Sequence, residues 1–242
     1  MGEAASNAID ALAAIKKMVF DEQSLGMDAL LAALEQDWDG HESLRRRLVA
    51  RAPKYANDNE YADAIGQEML AYFVERSALH ASRHPSVIFP CSVGTFSWYA
   101  MIGKEVGATP DGRRAGDAIA ANFSPVPGVD MSGPTAAINS YLKMSVDVMA
   151  AGAPLDLRLS AASLQGESGT QRLAGLVRAF IEMGGNMVTF TVTDVEELKR
   201  AMAQPENYRH LRVRMGGWSA YFVMLSREQQ ELHIRRVEHG LV

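Results

Sequence analysis

The sequence predicts an α/β fold, and three observations carry that expectation. Leu155-Asp156-Leu157-Arg158-Leu159 alternates with period two, the mark of a strand with two unlike faces. Met187-Val188-Thr189-Phe190-Thr191-Val192 is rich in β-branched residues. Helical stretches over 173–183, closed by Gly184-Gly185, and from Asp194 to Pro205 alternate with these runs, and strand–helix alternation of this kind is the pattern of an α/β architecture.

Ahead of this part lies a helical layer. Ile9, Leu12, Ile15 and Val19 recur at three- and four-residue steps, with Asn7 placed as the N-cap. A second helix starts near Met27 and buries Leu30, Leu31 and Leu34. After Gly40, Leu44, Leu48 and Val49 mark a third, stopped by Pro53. Residues 60–83 form a longer helix carrying Ile65, Met69, Tyr72 and Phe73. Ser86-Val87-Ile88-Phe89, bounded by Pro85 and Pro90, reads as a buried strand or strand edge. From Gly103 to about Pro134 the chain is rich in glycine and proline, and so long a connection within a domain is either functional or packed against something else. Toward the end, Leu211-Arg212-Val213-Arg214 is strand-like and residues 226–239 read as a helix.

Composition removes several classes of function. Of 242 residues 48% are hydrophobic, ample for a core, and 22% are charged with a net charge of -5, so no basic face suits a phosphate backbone and nucleic acid is not an expected partner. No apolar run is long enough to span a bilayer, and Met1-Gly2-Glu3-Ala4-Ala5 lacks the basic start and apolar stretch of a secretory signal, which predicts a cytoplasmic protein. With one cysteine, Cys91, the chain has no internal disulfide and no multi-cysteine metal or iron–sulfur site of its own.

The segment that carries chemistry is Arg214-Met215-Gly216-Gly217-Trp218-Ser219-Ala220-Tyr221-Phe222. Taken alone it is a strand ending in a Gly-Gly turn. It resembles the signature of the glycyl radical enzymes: arginine, an apolar residue, a small residue, the radical glycine, an aromatic and a small residue, followed by Ala-Tyr-Phe. Ala108-Thr109-Pro110-Asp111-Gly112-Arg113-Arg114-Ala115-Gly116 resembles the family's Pro-Asp-Gly-Arg loop, and Ser124-Pro125 with Gly133-Pro134-Thr135-Ala136 resembles the family stretch next to that loop. Asn7 to Lys17 and Ala52 to Asp58 are similar to family segments upstream. Several motifs in one order reinforce each other.

Matching residue by residue, the resemblance implies that Gly217 stores the radical, within a radical loop of Arg214, Gly216, Trp218, Ser219, Tyr221 and Phe222. Glycine suits that role physically, because a backbone radical is stabilised when the α-carbon becomes planar, and a side chain would hinder it. Oxygen attacks the same planar carbon, so the site needs shielding, for which Trp218, Tyr221 and Phe222 are suitable packing residues. The resemblance further implies part of the second half of a ten-stranded barrel, with residues 1–115 belonging to the pyruvate formate-lyase-like barrel region and 116–242 to the glycine radical domain. No cofactor is expected to be bound permanently; a radical S-adenosylmethionine activating enzyme installs the glycyl radical.

In the family a cysteine facing the glycine becomes the thiyl radical, usually with a glutamate two positions later. Cys91 is followed by Ser92 and Val93 and departs from that pattern, and its plainer reading is a small buried apolar residue. A larger barrel subunit carrying the thiyl cysteine is therefore an expected partner, alongside the activating enzyme and a small-molecule substrate. A fraction of a barrel with open strand edges is also expected to self-associate. Gly217-Trp218-Ser219-Ala220-Tyr221-Phe222 is closer to the dehydratase and carbon–heteroatom lyase branch than to the formate acetyltransferase branch, which predicts radical elimination. A formate acetyltransferase-type acyltransferase subunit, a spare-part protein that restores an oxygen-damaged enzyme, and a radical-free interaction protein are the alternatives. Cys91, Trp98, Asp156, Arg158, Asn186 and Thr189 are candidate pocket residues, each with a structural reading beside it as a hydrogen-bonded strand or packed loop residue. Arg113 and Arg114 are read as solvated-loop or salt-bridge arginines, with a clamp on an anionic substrate as the alternative, and His210, His233 and His239 as surface residues without metal-ligand spacing.

Overall fold

The period-two run becomes the centre of a parallel sheet. In a computed structural model, which describes residues 2–84, 86–95, 97–215, 218–236 and 238–241, strand β1 (Pro154–Leu159) is buried along its whole length. On one side it pairs with β2 (Met187–Val192), in register from Pro154↔Met187 to Leu159↔Val192, and on the other with the two-residue β5 (Glu238–His239). Parallel neighbours need a long crossover. The one between β1 and β2 contains α7 (Gly166–Glu182), which begins several residues before the expected start.

The alternation in β1 separates two environments. Leu155 and Leu157 join a core with Ile9 and Ala13 of α1 (Ala5–Ile15), Ala62 and Leu70 of α4 (Glu60–Ser82), Ile138 and Tyr141 of α6 (Pro134–Leu142), and Phe180 of α7. Tyr55, Phe123, Tyr141 and Phe180 run through that core in a column, with successive ring centroids 5.0, 5.8 and 5.6 Å apart. Offset aromatic contacts at such spacing add to the stabilisation from burial. Asp156 and Arg158 alternate with these leucines and face elsewhere.

Helices α2 (Met27–Glu35) and α3 (Glu42–Arg51) build a second, smaller core around Trp38, Met18, Leu30 and Leu48. Trp38 has a φ of +68°, which a bulky residue rarely adopts, and full burial holds it there while its indole Nε1 donates to the Arg113 carbonyl at 3.0 Å. The Pro110-Asp111-Gly112-Arg113 loop thus locks onto the helical layer. Gly112, at φ +97°, tolerates no side chain, since a Cβ there would lie 2.4 Å from Val49 Cγ2.

Four expectations are corrected. Asn7 is not an N-cap but lies inside α1, buried, with its side chain bonded to Asp111 and to the Ala120 amide. The first helix continues as a π-helical segment over Lys16–Asp21. Residues Ser86 to Phe89 form no strand and are exposed; no strand among the described residues pairs with them. The final helix, α9, covers only Arg227–Arg235, and the chain then extends into β5, whose two residues are too short a run to leave a pattern. The expected Asp194 cap is present: its side chain accepts from the Glu196 amide at 2.6 Å at the start of α8 (Val195–Ala203).

Asp10 links this packing to pH. Burial pushes its carboxyl up to about 8, against the opposing Lys54 charge and the Tyr55 amide that donates to it at 2.7 Å. A raised carboxyl stabilises the fold fully below its unfolded value near 3.8, and that contribution is lost as pH rises through 8. The melting temperature should therefore fall between pH 5 and 9, and Asp10→Asn should flatten that slope, as differential scanning calorimetry across the range will show.

Candidate active site

The Gly-Gly motif lies in sequence between the arms of a short antiparallel hairpin. Strand β3 (Arg212–Arg214) pairs with β4 (Ser219–Tyr221) in the register Arg212↔Tyr221, Val213↔Ala220 and Arg214↔Ser219, and the Met215 amide donates to the Trp218 carbonyl at 2.9 Å. Gly216 and Gly217, on which the radical assignment falls, lie outside the described residues. The alternation of β3 aims Val213 inward, and Met215 follows it. Both join Tyr99 of α5 (Tyr99–Lys104), Leu198 of α8, Phe222 and Leu232 of α9 in a third core.

The outer face of the hairpin is differently populated. Of the three aromatics expected to shield the loop, Phe222 is fully buried, whereas Trp218 and Tyr221 remain 46% and 44% exposed. The described residues of this chain cover only the inner face of the hairpin. Arg212 lies over the Tyr221 ring and donates to its hydroxyl at 2.8 Å, while Arg214 Nη1 donates to Ser219 Oγ at 3.0 Å.

Where the hairpin begins, it meets the polar side of the parallel sheet. The Arg214 amide donates to Thr191 Oγ1 of β2 at 3.0 Å, and Thr191 pairs in register with Arg158 as Thr189 pairs with Asp156. The Asp156 carboxylate, buried, accepts from Thr189 Oγ1 at 2.5 Å, Asn122 Nδ2 at 2.7 Å and Ser124 Oγ at 3.4 Å, with the Arg236 guanidinium 3.9 Å away. A buried carboxylate needs this many donors, since an unpaired one is heavily penalised. Arg158 donates to the carbonyls of His233 (2.9 Å) and Arg236, satisfying acceptors that the end of α9 leaves open. Burial lowers the pKa of Arg158 and pushes the Tyr99 phenol up to about 12.

His233 and His239 are not surface residues, as their spacing suggested, but are buried. His233 Nε2 lies 3.1 Å from Met215 Sδ, and burial, reinforced by the charges of Arg236 and Arg158, holds its pKa well below the usual histidine value, so the ring is neutral at physiological pH. His239 Nε2 lies 2.8 Å from Asp130 Oδ2. The polar strand face, the last turn of α9 and the hairpin thus meet in one place.

The other sequence candidates lie apart from it. Asn186 clamps the entry to β2, accepting from the Ala153 amide at 3.1 Å and donating to the carbonyls of Val146 (3.1 Å) and Met149 (3.2 Å). Half-buried Cys91 packs against the aromatic core with Sγ 3.5 Å from the Val148 carbonyl, and no contact among the described residues joins it to the hairpin. Trp98 is exposed at the start of α5. Arg114 pairs with Glu42 at 2.7 Å, and Arg113 is buried against loop carbonyls. Sequence reasoning missed Asn122, Thr191, His233 and Arg236. For His233 and Arg236 the usable signal was the three-residue step at the end of α9, on the same side as Leu232.

This is an α/β chain in which the two hairpin arms that flank the Gly-Gly sequence are seated on a buried polar strand face. The family model "Glycine radical" matches residues 119–223 and "Pyruvate formate lyase-like" matches residues 2–103. Together they span most of the chain, which belongs to the glycyl radical enzyme family. The chain is 38% identical to the probable dehydratase YbiW of Escherichia coli over 98% of its own length and 30% of that protein, and 36% identical to isethionate sulfite-lyase of Desulfovibrio desulfuricans over 97% and 28%. Among solved structures it resembles the B12-independent glycerol dehydratase of Clostridium butyricum, with a TM-score of 0.90 and 32% identity over 99% of this chain and 30% of that one. The chain therefore spans less than a third of the length of these relatives, and among the described residues there is no closed barrel.

Asp156→Ala would leave Thr189, Asn122 and Arg236 without their buried acceptor. At about 1–3 kcal/mol for each stranded donor, less whatever water restores, a loss of about 2–4 kcal/mol is expected. The urea midpoint measures it, with Asp156→Asn expected to lose less.

Proposed function

We propose that this chain is the radical-bearing portion of a glycyl radical enzyme of the eliminating type, with the radical stored on the α-carbon of Gly217. In this reading the Gly217 radical takes the hydrogen atom from a cysteine thiol of a larger barrel chain, becoming ordinary glycine and leaving a sulfur-centred radical. That radical opens the dehydration or carbon–heteroatom cleavage of a small molecule, and the hydrogen atom returns at the end of the cycle. A radical S-adenosylmethionine activating enzyme supplies the first oxidation. Residues 1–115 serve as barrel region and 116–242 as the glycine radical domain.

The observation that carries the reading is the seating of the Arg214–Phe222 motif. Its flanks are anchored to Thr191 and against His233, beside the Asp156 and Arg158 face, so the described residues on either side of the two glycines are tied to a buried polar surface. The dehydratase and lyase names of the matched relatives favour elimination over acyl transfer. The sequence around Cys91, with Ser92 and Val93 after it and no glutamate two positions later, favours a thiol supplied by another chain.

With the activating enzyme and barrel chain present under anoxic conditions, the protein should develop a glycine-centred electron paramagnetic resonance signal. Air should then cut the backbone at Gly217, leaving 25 residues beyond it. Gly217→Ala should abolish both signal and cleavage, whereas Gly216→Ala should keep them, since a small side chain is accepted at that position of the motif. The opposite pattern moves the radical by one residue. If the signal never forms and oxygen never cleaves the wild-type chain, the reading is wrong.

A further inference from the structure

Helix α9 presents two polar side chains to the hairpin from a single turn. His233 places Nε2 3.1 Å from Sδ of Met215, which follows the first arm. Gln230, three residues earlier, donates from Nε2 to the Phe222 carbonyl at 2.9 Å, just beyond the second arm. Both side chains are buried. Residues three apart on a helix are neighbours on its surface, so the two contacts come from one patch of α9.

The chemistry fixes the direction of both contacts. A thioether sulfur has no hydrogen to give, so Nε2 of His233 must carry the one that lies between them, and the Phe222 carbonyl can only accept. The residues gripped are those that tie the hairpin together. The Met215 amide donates to the Trp218 carbonyl and the Phe222 amide to the Leu211 carbonyl, both at 2.9 Å, at the two ends of the ladder. Helix α9 is in turn held by the sheet, because Arg158 of β1 donates to the carbonyls of His233 and Arg236. The apolar core around Val213 and Leu232 would bury the hairpin without these polar groups, but apolar contacts carry no direction and do not fix how far it slides along the helix.

We propose that Gln230 and His233 are positioning residues for the radical hairpin, a two-point clamp in which one turn of α9 holds the arm that leads into the Gly216-Gly217 sequence through Met215 and the arm that leaves it through Phe222. The clamp's bearing on the chemistry rests on the reading that Gly217 carries the radical. Its hold on the hairpin does not.

Hydrogen exchange on the full chain is the test, with the Met215 amide reporting hairpin closure and the Leu157 amide, in the middle of β1, reporting global opening. His233→Phe and Gln230→Met each remove a donor while largely keeping volume, and each should speed Met215 exchange about fivefold relative to Leu157, the order expected for one lost hydrogen bond. His233→Gln keeps a side-chain N–H of similar reach and should restore much of the wild-type rate. Met215 exchange that merely tracks Leu157 in both donor-free variants overturns the proposal, as does a His233→Gln rate no nearer wild type than that of His233→Phe. Should the variants fail to fold, the ¹⁵N spectrum of histidine-labelled wild-type protein decides: Nε2 of His233 should carry the hydrogen, and a bare Nε2 overturns the clamp. With the barrel chain and activating enzyme present, air should cut the loosened variants at Gly217 about fivefold faster than the wild type, in proportion to the lost closure. Equal cutting overturns the clamp as a positioning device for the radical. A wild-type chain that never takes up the radical sinks the Gly217 reading instead, and exchange alone then decides the clamp.

Discussion

The architecture depends on one buried asparagine. Asn7 in the first turn of α1 donates to Asp111 and accepts from the amide of Ala120, spanning two points of a connection that has almost no regular structure between Lys104 and Pro134. Backbone polar groups in such a segment cannot be buried without partners. Helix α1 supplies several: beside Asn7, Ser6 donates to the Ser124 carbonyl at 2.7 Å. The residues following Ala120 are thereby fixed, and Asn122 and Ser124 are the ones that reach the Asp156 carboxylate. An interaction in the first turn of the first helix thus orients the polar face on which the hairpin is seated more than 200 residues later.

That polar face combines two functions. Arg158 closes the end of α9, a structural duty, while its in-register neighbour Thr191 holds the first arm of the hairpin. The neutral His233 ring meets Met215 on the hairpin from the other side. A loop held by hydrogen bonds to a rigid strand and a helix end is positioned more sharply than one held by apolar contacts alone, because hydrogen bonds constrain direction as well as distance. The outer aromatics Trp218 and Tyr221 take no part in this anchoring.

The parts legible in the sequence are those whose pattern reports on local environment. Strands β1 and β2 were visible because alternation and β-branching reflect burial on a pleated sheet, and the Asp194 cap because its chemistry is confined to one turn. The radical motif was visible as a sequence signature and its first arm as a strand, but neither the second arm, β4, nor which of its aromatics would be buried was legible. What escaped depended on distant segments. Asn7 looks like a cap until the loop it bonds is folded against it, and His233 looks solvated because most of α9 around it is polar. Ser86 to Phe89 is as apolar as a buried strand, but an apolar run does not state what will cover it.

The order in which the strands pair has a temporal side. β1 lies between β2 and β5, and about eighty residues of chain separate its register partners Arg158 and Glu238. During synthesis, then, β1 can join β2 long before its other edge is satisfied, and until residues 227–239 have emerged the Arg158 guanidinium has no helix end to close. The hairpin emerges in that interval, so its seat on the sheet is still wet when it arrives. Only the last stretch of chain, by folding α9 and adding β5, dries the polar face and sets its geometry.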